Sequence, residues 1–180
     1  MEMVILGLLM SNPQTLYQLN QSFQRSVSLF YSASYGSLKY ALSSLLSQEY
    51  ISVREVTDTA RGKKEYAVTT KGTEALMNWL CEDFSDRKLE VASLSRLFLL
   101  GLVEGDEEKK RIIERIISRH TDALEQLKEV RAAVTRIPVP PNKSEIRRFK
   151  LKTLEYGIAS YRSAIDWYES LLREMEEEGR

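Results

Sequence analysis

The side chains best suited to contacting a ligand lie in two short stretches, around residue 40 and around residue 63. Hydroxyl and ammonium groups in the first stretch could hydrogen-bond to base edges or phosphate oxygens. Cations in the second could neutralise phosphates. The candidate nucleic-acid contacts are Ser34, Tyr35, Ser37, Lys39, Tyr40 and Ser43 in the first stretch, and Arg61, Lys63 and Lys64 in the second.

The first stretch is predicted to lie on a helix. Apolar residues recur at spacings of three and four between about Ser34 and Glu49, while the opposite face is polar and mostly uncharged. Short polar side chains on such a face suit contacts with base edges in a DNA major groove. The apolar set is Leu38, Ala41, Leu42, Leu45 and Leu46.

The second stretch lies at the predicted turn of a β-hairpin. Residues 50–56 and 64–69 are typical of short strands, and the link between them is basic and rich in turn residues. Two further helices are predicted upstream, over Met3–Met10 and Thr15–Ser26, and one downstream to Leu80. Thr15 and Gln18 have the spacing of a capping box at the start of the second helix. This order of helices and hairpin indicates a winged helix-turn-helix.

After Leu80 the sequence indicates only helices. They cover about Leu89–Val103 and Asp106–Ile137, and a last one begins after the Pro138–Pro141 break, with Asn142 as its predicted cap. The fold is therefore predicted to be mainly α with a small β-hairpin. We expect a winged helix-turn-helix domain at residues 1–82 and a helical dimerisation and effector domain, with a long coiled-coil-like helix, at residues 83–180.

A heptad seam runs along the last helix, with apolar residues at alternating steps of four and three. Such a seam packs against another helix, either in the same chain or in a partner. We assign these residues to a homodimer interface: Leu154, Ile158, Tyr161, Ile165, Tyr168 and Leu172.

Composition narrows the function classes. The chain has 26 basic and 26 acidic residues, so any nucleic-acid binding must depend on where the cations lie. A single cysteine excludes an intrachain disulfide and suits a cytoplasmic location. The sequence shows no membrane span, signal peptide or metal-ligand motif, and we expect no cofactor, no membrane partner and no enzymatic activity.

His120, Tyr156 and Trp167 are the candidates for a pocket that binds a small aromatic effector. Imidazole, phenol and indole groups could orient such a ligand by stacking and hydrogen bonding. The simpler interpretation is that the histidine and the aromatic residues belong to a helix interface.

The N-terminal residues resemble PadR-family transcriptional regulators over about residues 3 to 76. The resemblance depends on residue types in sequence order, and the C-terminal part is similar to the virulence-activator (AphA-like) branch of that family. The matching positions are Ile5–Leu9, Pro13, Tyr17, Leu19, Ser34, Gly36–Leu38, Ala41, Leu42, Leu45, Ile51, Lys64, Tyr66, Thr69 and Gly72.

The resemblance implies a winged-helix dimer, linked by exchanged C-terminal helices, that usually represses its promoters. The groove-facing segment would then be Ser34–Ser43 and the wing Arg61–Lys64. Three departures from the family pattern are Leu16 in place of glycine, Lys39-Tyr40 in place of Tyr-Pro, and Glu49 in place of a glycine. The second departure alters the predicted reading helix.

We therefore expect a homodimer that binds double-stranded DNA at a pseudo-palindromic operator and is released by a small effector. Its half-sites would lie one helical turn, roughly 34 Å, apart. The alternative is a winged-helix adaptor that binds proteins and has no sequence-specific DNA binding.

Overall fold

The computed structural model describes residues 1–27, 33–56, 63–84, 88–141 and 144–178. Contacts divide the chain into two compact units: Met1–Phe84 with Glu90–Glu104, and Ser85–Leu89 with Gly105–Arg180. Mostly helical structure with a small antiparallel sheet confirms the predicted fold class. No helix in the described ranges is both long and apolar enough to span a membrane.

The first unit begins with three helices and a sheet. The helices are α1 (Glu2–Ser11), α2 (Leu16–Ser22) and α3 (Tyr35–Ser47), and a π-helical turn, Phe23–Val27, extends α2. The strands are β1 (Gln14–Thr15), β2 (Ile51–Val56) and β3 (Lys63–Val68), in the order β1-β3-β2. The hairpin of β2 and β3 is the predicted one, while β1 adds a third strand that the sequence analysis did not predict.

The same unit is completed by α4 (Thr70–Cys81), by α5 (Leu89–Leu99) from Glu90 onward, and by a 3-10 turn at Leu100–Leu102. The guanidinium of Arg96 on α5 lies between the rings of Trp79 and Phe84, 4.2 and 4.0 Å from their centroids. It also donates to the Trp79 carbonyl at 3.1 Å. Contacts therefore group α5 with the winged helix. The predicted division into a DNA-binding domain and a dimerisation domain between residues 82 and 83 stays a prediction.

Gly7 and Gly72 mark two close approaches in this unit. A Cβ at Gly7 would lie 2.3 Å from Leu99 Cδ2, so the close packing of α1 and α5 leaves no room for a side chain there. A Cβ at Gly72 would lie 2.0 Å from the Tyr50 carbonyl oxygen, so only glycine lets α4 begin beside the start of β2. Both glycines are buried.

Helix α3 ends in a Schellman motif. The N–H of Glu49 donates to the Leu46 carbonyl, and the N–H of Tyr50 to the Leu45 carbonyl, each at 3.0 Å. Glu49 has a φ of 61°, in the left-handed region where glycine is preferred. At the position where the family pattern has glycine, Glu49 therefore adopts a backbone conformation that glycine favours.

The second unit is a helical hairpin of α6 (Asp106–Arg136) and α7 (Ser144–Glu178). Arg147 near the start of α7 satisfies the end of α6, donating to the carbonyls of Ile137 and Thr135 at 2.6 and 2.7 Å. Free carbonyls at a helix end need such donors. The proline break between α6 and α7 is confirmed, and the predicted Asn142 cap lies outside the described residues.

Candidate nucleic-acid interface

The first turn of α3 is fixed by its own serines. Ser34 Oγ accepts from the Ser37 N–H at 3.1 Å, and Ser37 Oγ accepts from the Ser34 N–H at 2.9 Å, which makes a reciprocal capping box. Two of the hydroxyls predicted to contact bases therefore hold the helix start in place. They retain acceptor capacity, but their positions are set by the helix and not by a ligand.

Beyond the cap, the exposed face of α3 carries longer side chains. Tyr35 and Tyr40 are 52% and 78% exposed, and Lys39 is exposed beside them. Ser43 is also exposed and donates to the Lys39 carbonyl at 3.2 Å. The opposite face, with Leu38, Ala41, Leu42 and Leu45, is buried as predicted. The side chains that reach furthest from α3 are thus Tyr35, Lys39 and Tyr40.

Two of the three wing cations lie at the start of β3. Lys63 and Lys64 are both exposed, and successive strand residues point to opposite faces of the sheet. Lys64 is directly across from Glu55, whereas Lys63 is directly across from Val56. Lys63 therefore has no carboxylate at its paired position. Arg61 and Gly62 lie outside the described residues.

A cleft of about 770 Å³ lies between the start of α2 and β3. Tyr17 on α2 is 64% exposed, accepts a hydrogen bond from Gln21 at 2.9 Å, and lines this cleft with Lys63 and Lys64. The sequence analysis noted Tyr17 for the resemblance but not as a site residue. The signal available in the sequence was a tyrosine two residues after the predicted capping threonine.

Strand β1 ties α2 to the wing. Gln14 pairs with Tyr66 and Thr15 with Glu65, while Thr15 also caps α2 in the predicted capping box with Gln18. The buried Gln14 amide donates to the Leu8 carbonyl at 3.0 Å and accepts from the Ser22 hydroxyl at 2.9 Å. A helix start and a wing strand therefore share one sheet.

The three candidate effector residues do not come together in the second unit. His120 is buried on α6, with its ring centroid 5.7 Å from that of Tyr161 and 5.6 Å from that of Tyr168. Its Nδ1 lies 2.9 Å from the Ile116 carbonyl, which assigns the proton to that nitrogen. Tyr156 and Trp167 are exposed on α7, and the Trp167 ring centroid lies 5.2 Å from that of Tyr168 but is not in direct ring contact with His120 among the described contacts. The effector site stays a prediction.

The heptad seam of α7 contacts α6 of the same chain. Ile158 and Tyr168 are buried, and the remaining members, Leu154, Tyr161, Ile165 and Leu172, are half-buried. A Cβ at Gly157 would lie 2.8 Å from Leu127 Cδ1, so the two helices are in close contact there. Of the alternatives left open by the sequence, packing within the chain accounts for this face, and its role in a dimer stays a prediction.

Among the described residues, no group of three or more His, Cys, Asp or Glu side chains could hold a metal ion. One carboxyl group in the second unit has a shifted pKa. The Lys152 ammonium, 2.7 Å from Glu155, lowers the pKa of that carboxyl by hydrogen bonding and charge. Both groups are exposed to solvent, and neither belongs to the predicted interface on α3 and β3.

The first unit, with three helices followed by a β-hairpin, has the architecture of a winged helix-turn-helix, and the second is a helical hairpin. A family model described as the transcriptional regulator PadR-like family matches residues 5–78, and one described as virulence activator alpha C-term matches residues 93–176. The chain belongs to the PadR-like family of transcriptional regulators and has a C-terminal region of the virulence-activator type. This confirms the resemblance.

Three solved structures are similar along nearly the whole chain. Bacillus subtilis PadR in complex with operator DNA is 19% identical with a TM-score of 0.42, over 97% of this chain and 98% of that one. The protein smu.1604c from Streptococcus mutans UA159 is 27% identical with a TM-score of 0.45, over 96% and 98%. The Vibrio cholerae virulence activator AphA is 18% identical with a TM-score of 0.39, over 98% of both. No curated protein matches the chain.

Proposed function

We propose that this transcriptional regulator is a homodimeric repressor that binds a pseudo-palindromic operator. Helix α3 enters the major groove, and the wing contacts phosphates. The observation that carries the proposal is an α3 face of small hydroxyls and exposed Lys39 and Tyr40, held by its own cap, in the same compact unit as Lys63 and Lys64.

The roles divide by reach and chemistry. Lys39 can donate to the acceptors of a guanine edge, and Tyr40 and Ser43 can donate or accept. Ser34 and Ser37 are assigned to setting the position of the helix start, because their hydroxyls are used in its cap. Base discrimination is therefore assigned mainly to Lys39 and Tyr40, with Tyr35 close to the flanking backbone.

Phosphate binding is assigned to the wing and to the cleft beside it. Lys63 should contribute more than Lys64, because Glu55 lies directly across from Lys64 and offsets part of its charge. Arg61 is proposed as a third phosphate contact from its charge and its place in the sequence alone. Tyr17 on α2 can donate a further hydrogen bond to a phosphate at the mouth of the cleft.

Selection of bound duplexes from a random pool tests this function. A dimeric reader should yield two inverted half-sites about one helical turn apart. Lys39→Ala should relax the preference at one position in each half-site, with about 1–3 kcal/mol of discrimination lost. Lys150→Ala, at an exposed lysine on α7, serves as the matched control and should leave the selected sequence unchanged.

Salt dependence separates the wing from the reading helix. Lys63→Ala should weaken binding to all duplexes alike and reduce the slope of log K against log salt by about 2 for a dimer. Lys64→Ala should do the same to a smaller degree. No binding to any duplex, at low salt and with folded protein, would contradict the function and leave the protein-binding adaptor as the remaining hypothesis.

Release by a small aromatic effector is proposed for the second unit. The cluster of His120, Tyr161 and Tyr168 offers ring contacts and a buried imidazole, which suit an aromatic ligand. A panel of phenolic acids should contain a compound that lowers operator affinity, and Tyr161→Phe should alter its potency. If no compound in the panel lowers operator affinity, the effector part of the proposal is wrong and the DNA-binding part is unaffected.

A further inference from the structure

A strongly basic segment surrounds the turn between α6 and α7. Residues 128–152 contain eight lysines and arginines and two glutamates, which gives the segment a net charge of +6. Because the whole chain has 26 basic and 26 acidic residues, the rest of it has a net charge of −6. The charges of this neutral protein are therefore separated, and the segment has a positive potential that attracts polyanions.

Two clefts of the second unit are lined by cations from this segment. One, of about 390 Å³, follows α6 from Lys128 to Arg136, and the other, of about 370 Å³, follows α7 from Ser144 to Glu155. Among the residues that line them, Glu155 is the single carboxylate. We call them the basic clefts, after six cationic lining residues: Lys128, Arg131, Arg136, Arg147, Arg148 and Lys152.

Three of the six cations already have partners within the chain. Lys128 is paired with Glu125 at 2.6 Å. Lys152 is paired with Glu155 at 2.7 Å. Arg147 donates to three carbonyls at the end of α6. The other three are exposed guanidinium groups, with no carboxylate at ion-pair distance among the described residues: Arg131, Arg136 and Arg148.

The carboxyl of Glu155 shows that cations of both clefts act at one place. Its pKa is lowered chiefly by the hydrogen bond and charge of Lys152 on α7, and further by the charge of Arg131 on α6. A nearby cation lowers the pKa of a carboxyl because it stabilises the charged form. An anion bound near this point would therefore experience the positive charge of both helices.

The lining of the basic clefts favours phosphates over a protein surface. The centre of a protein interface is depleted in charged residues and enriched in aromatic ones, whereas no aromatic ring is among the residues that line these clefts. Guanidinium groups form bidentate hydrogen bonds with phosphate oxygens. The stretch from Lys128 to Arg136 covers about 12 Å of helix, which matches three or four phosphates of one duplex strand.

We propose that the basic clefts are a second duplex-binding surface, which contacts DNA phosphates and does not read sequence. The three exposed arginines bind phosphate oxygens, the two lysines raise the local potential, and Arg147 holds the end of α6 in place. The function proposed above assigns every DNA contact to the first unit. This surface is additional to those contacts, and it depends neither on α3 nor on the wing.

Binding of the full chain to a random-sequence duplex of about three helical turns tests the basic clefts. Arg131→Ala, Arg136→Ala and Arg148→Ala together should weaken binding about tenfold, because three phosphate contacts are lost. The slope of log K against log salt should fall by about 3 for each bound chain. The corresponding triple exchange to lysine keeps the charge and should recover most of the affinity. Circular dichroism should show the same helix content in all three proteins.

A matched control removes three other cations of the second unit. These residues of α7 are exposed and lie outside both clefts: Lys150→Ala, Arg162→Ala and Arg173→Ala. The net charge changes by the same amount as in the cleft variant, but the salt slope should fall by less than about 1. A cleft variant that binds like the wild type, or a control that weakens binding equally, overturns the proposal.

Competition identifies the occupant of the clefts. A polyglutamate peptide with as many charges as the duplex should be needed at about tenfold higher concentration to displace it. Its carboxylates are spaced along a single flexible chain, whereas a duplex has one charge for about every 1.7 Å of its axis. Equal competition by polyglutamate that is lost in the cleft variant would assign the clefts to an acidic protein, and the duplex proposal would be wrong.

The same proteins separate this inference from the proposed function. The cleft variant should select the same half-sites as the wild type, at lower affinity. A wild type that binds duplexes through the clefts but selects no sequence overturns only the proposed function. Specific half-sites together with an unaltered duplex affinity in the cleft variant overturn only the second surface.

Discussion

Helices α3 and α7 both bury one face and expose the other, but their exposed faces differ in chemistry. The exposed face of α3 has short hydroxyls, one lysine and tyrosines, and several hydroxyls are bonded to their own backbone. The exposed face of α7 alternates large rings with small residues between ends of opposite charge. Burial patterns alone would treat the two helices alike, whereas side-chain size and charge distinguish their exposed faces.

The largest effect should separate the two faces of α7. Tyr168→Ala removes a buried ring that contacts His120, and should lower the free energy of unfolding of the hairpin by about 3–5 kcal/mol. Tyr156→Ala, on the exposed face of α7, should change the free energy of unfolding of the monomer by less than about 0.5 kcal/mol. Urea titrations at concentrations where the chain is monomeric measure both. Equal losses would show that the two faces are not distinct.

A smaller effect is expected where α1 and α2 meet. Gln14→Leu keeps the approximate volume but leaves the Leu8 carbonyl and the Ser22 hydroxyl without the amide. The first unit should lose about 1–3 kcal/mol of unfolding free energy. Gln18→Leu, at an exposed position, is a useful contrast and should cost about 1 kcal/mol through the capping box. A loss at Gln14 no greater than at Gln18 would show that the buried amide is dispensable.

Substitutions of two serines sharpen the division of roles on α3. Ser34→Ala should cost about 1 kcal/mol of stability, because it removes the cap of the helix. Ser43→Ala should cost little stability, since its only described bond is a return to the Lys39 carbonyl. If DNA preference changes with Ser43→Ala at unaltered stability, then Ser43 reads bases. Thermal unfolding and duplex selection on the same proteins measure the two effects.

The smallest effect, and the only stabilising one, is expected at Glu49. Glu49→Gly relieves a left-handed residue at about 1 kcal/mol but loses an exposed ion pair with Lys71, so a net gain of about 0.5 kcal/mol is expected. Glu49→Ala loses the ion pair and keeps the Cβ, and it should show no gain. A glycine variant less stable than the wild type would indicate that the ion pair outweighs the backbone strain.

Much of the fold could be predicted because it is encoded locally. Apolar spacing located the helices, alternation located β2 and β3, and the Thr15–Gln18 spacing predicted a capping box that the structure contains. The predicted Thr15–Ser26 helix is instead α2 followed by a π-helical turn. Local patterns do not specify a change in helix type at that point.

The features that were not predicted depend on distant contacts or on competing uses of one residue. Strand β1 has two residues, and only its pairing with β3 some fifty positions later makes it a strand. Arg96 is charged in the sequence, but two aromatic rings and backbone carbonyls make burial tolerable. Serine at position 34 suits both a base contact and a helix cap, and only the backbone geometry chooses between them.

Strand β1 also has a thermodynamic consequence for partner recognition. Because Gln14 and Thr15 are hydrogen-bonded to β3, the base of the wing and the start of α2 are ordered before any duplex arrives. A protein that is already ordered loses less conformational entropy on association, so more of the contact energy is available as affinity. Loosening this short strand should therefore weaken binding to every duplex sequence without removing a single contact to DNA.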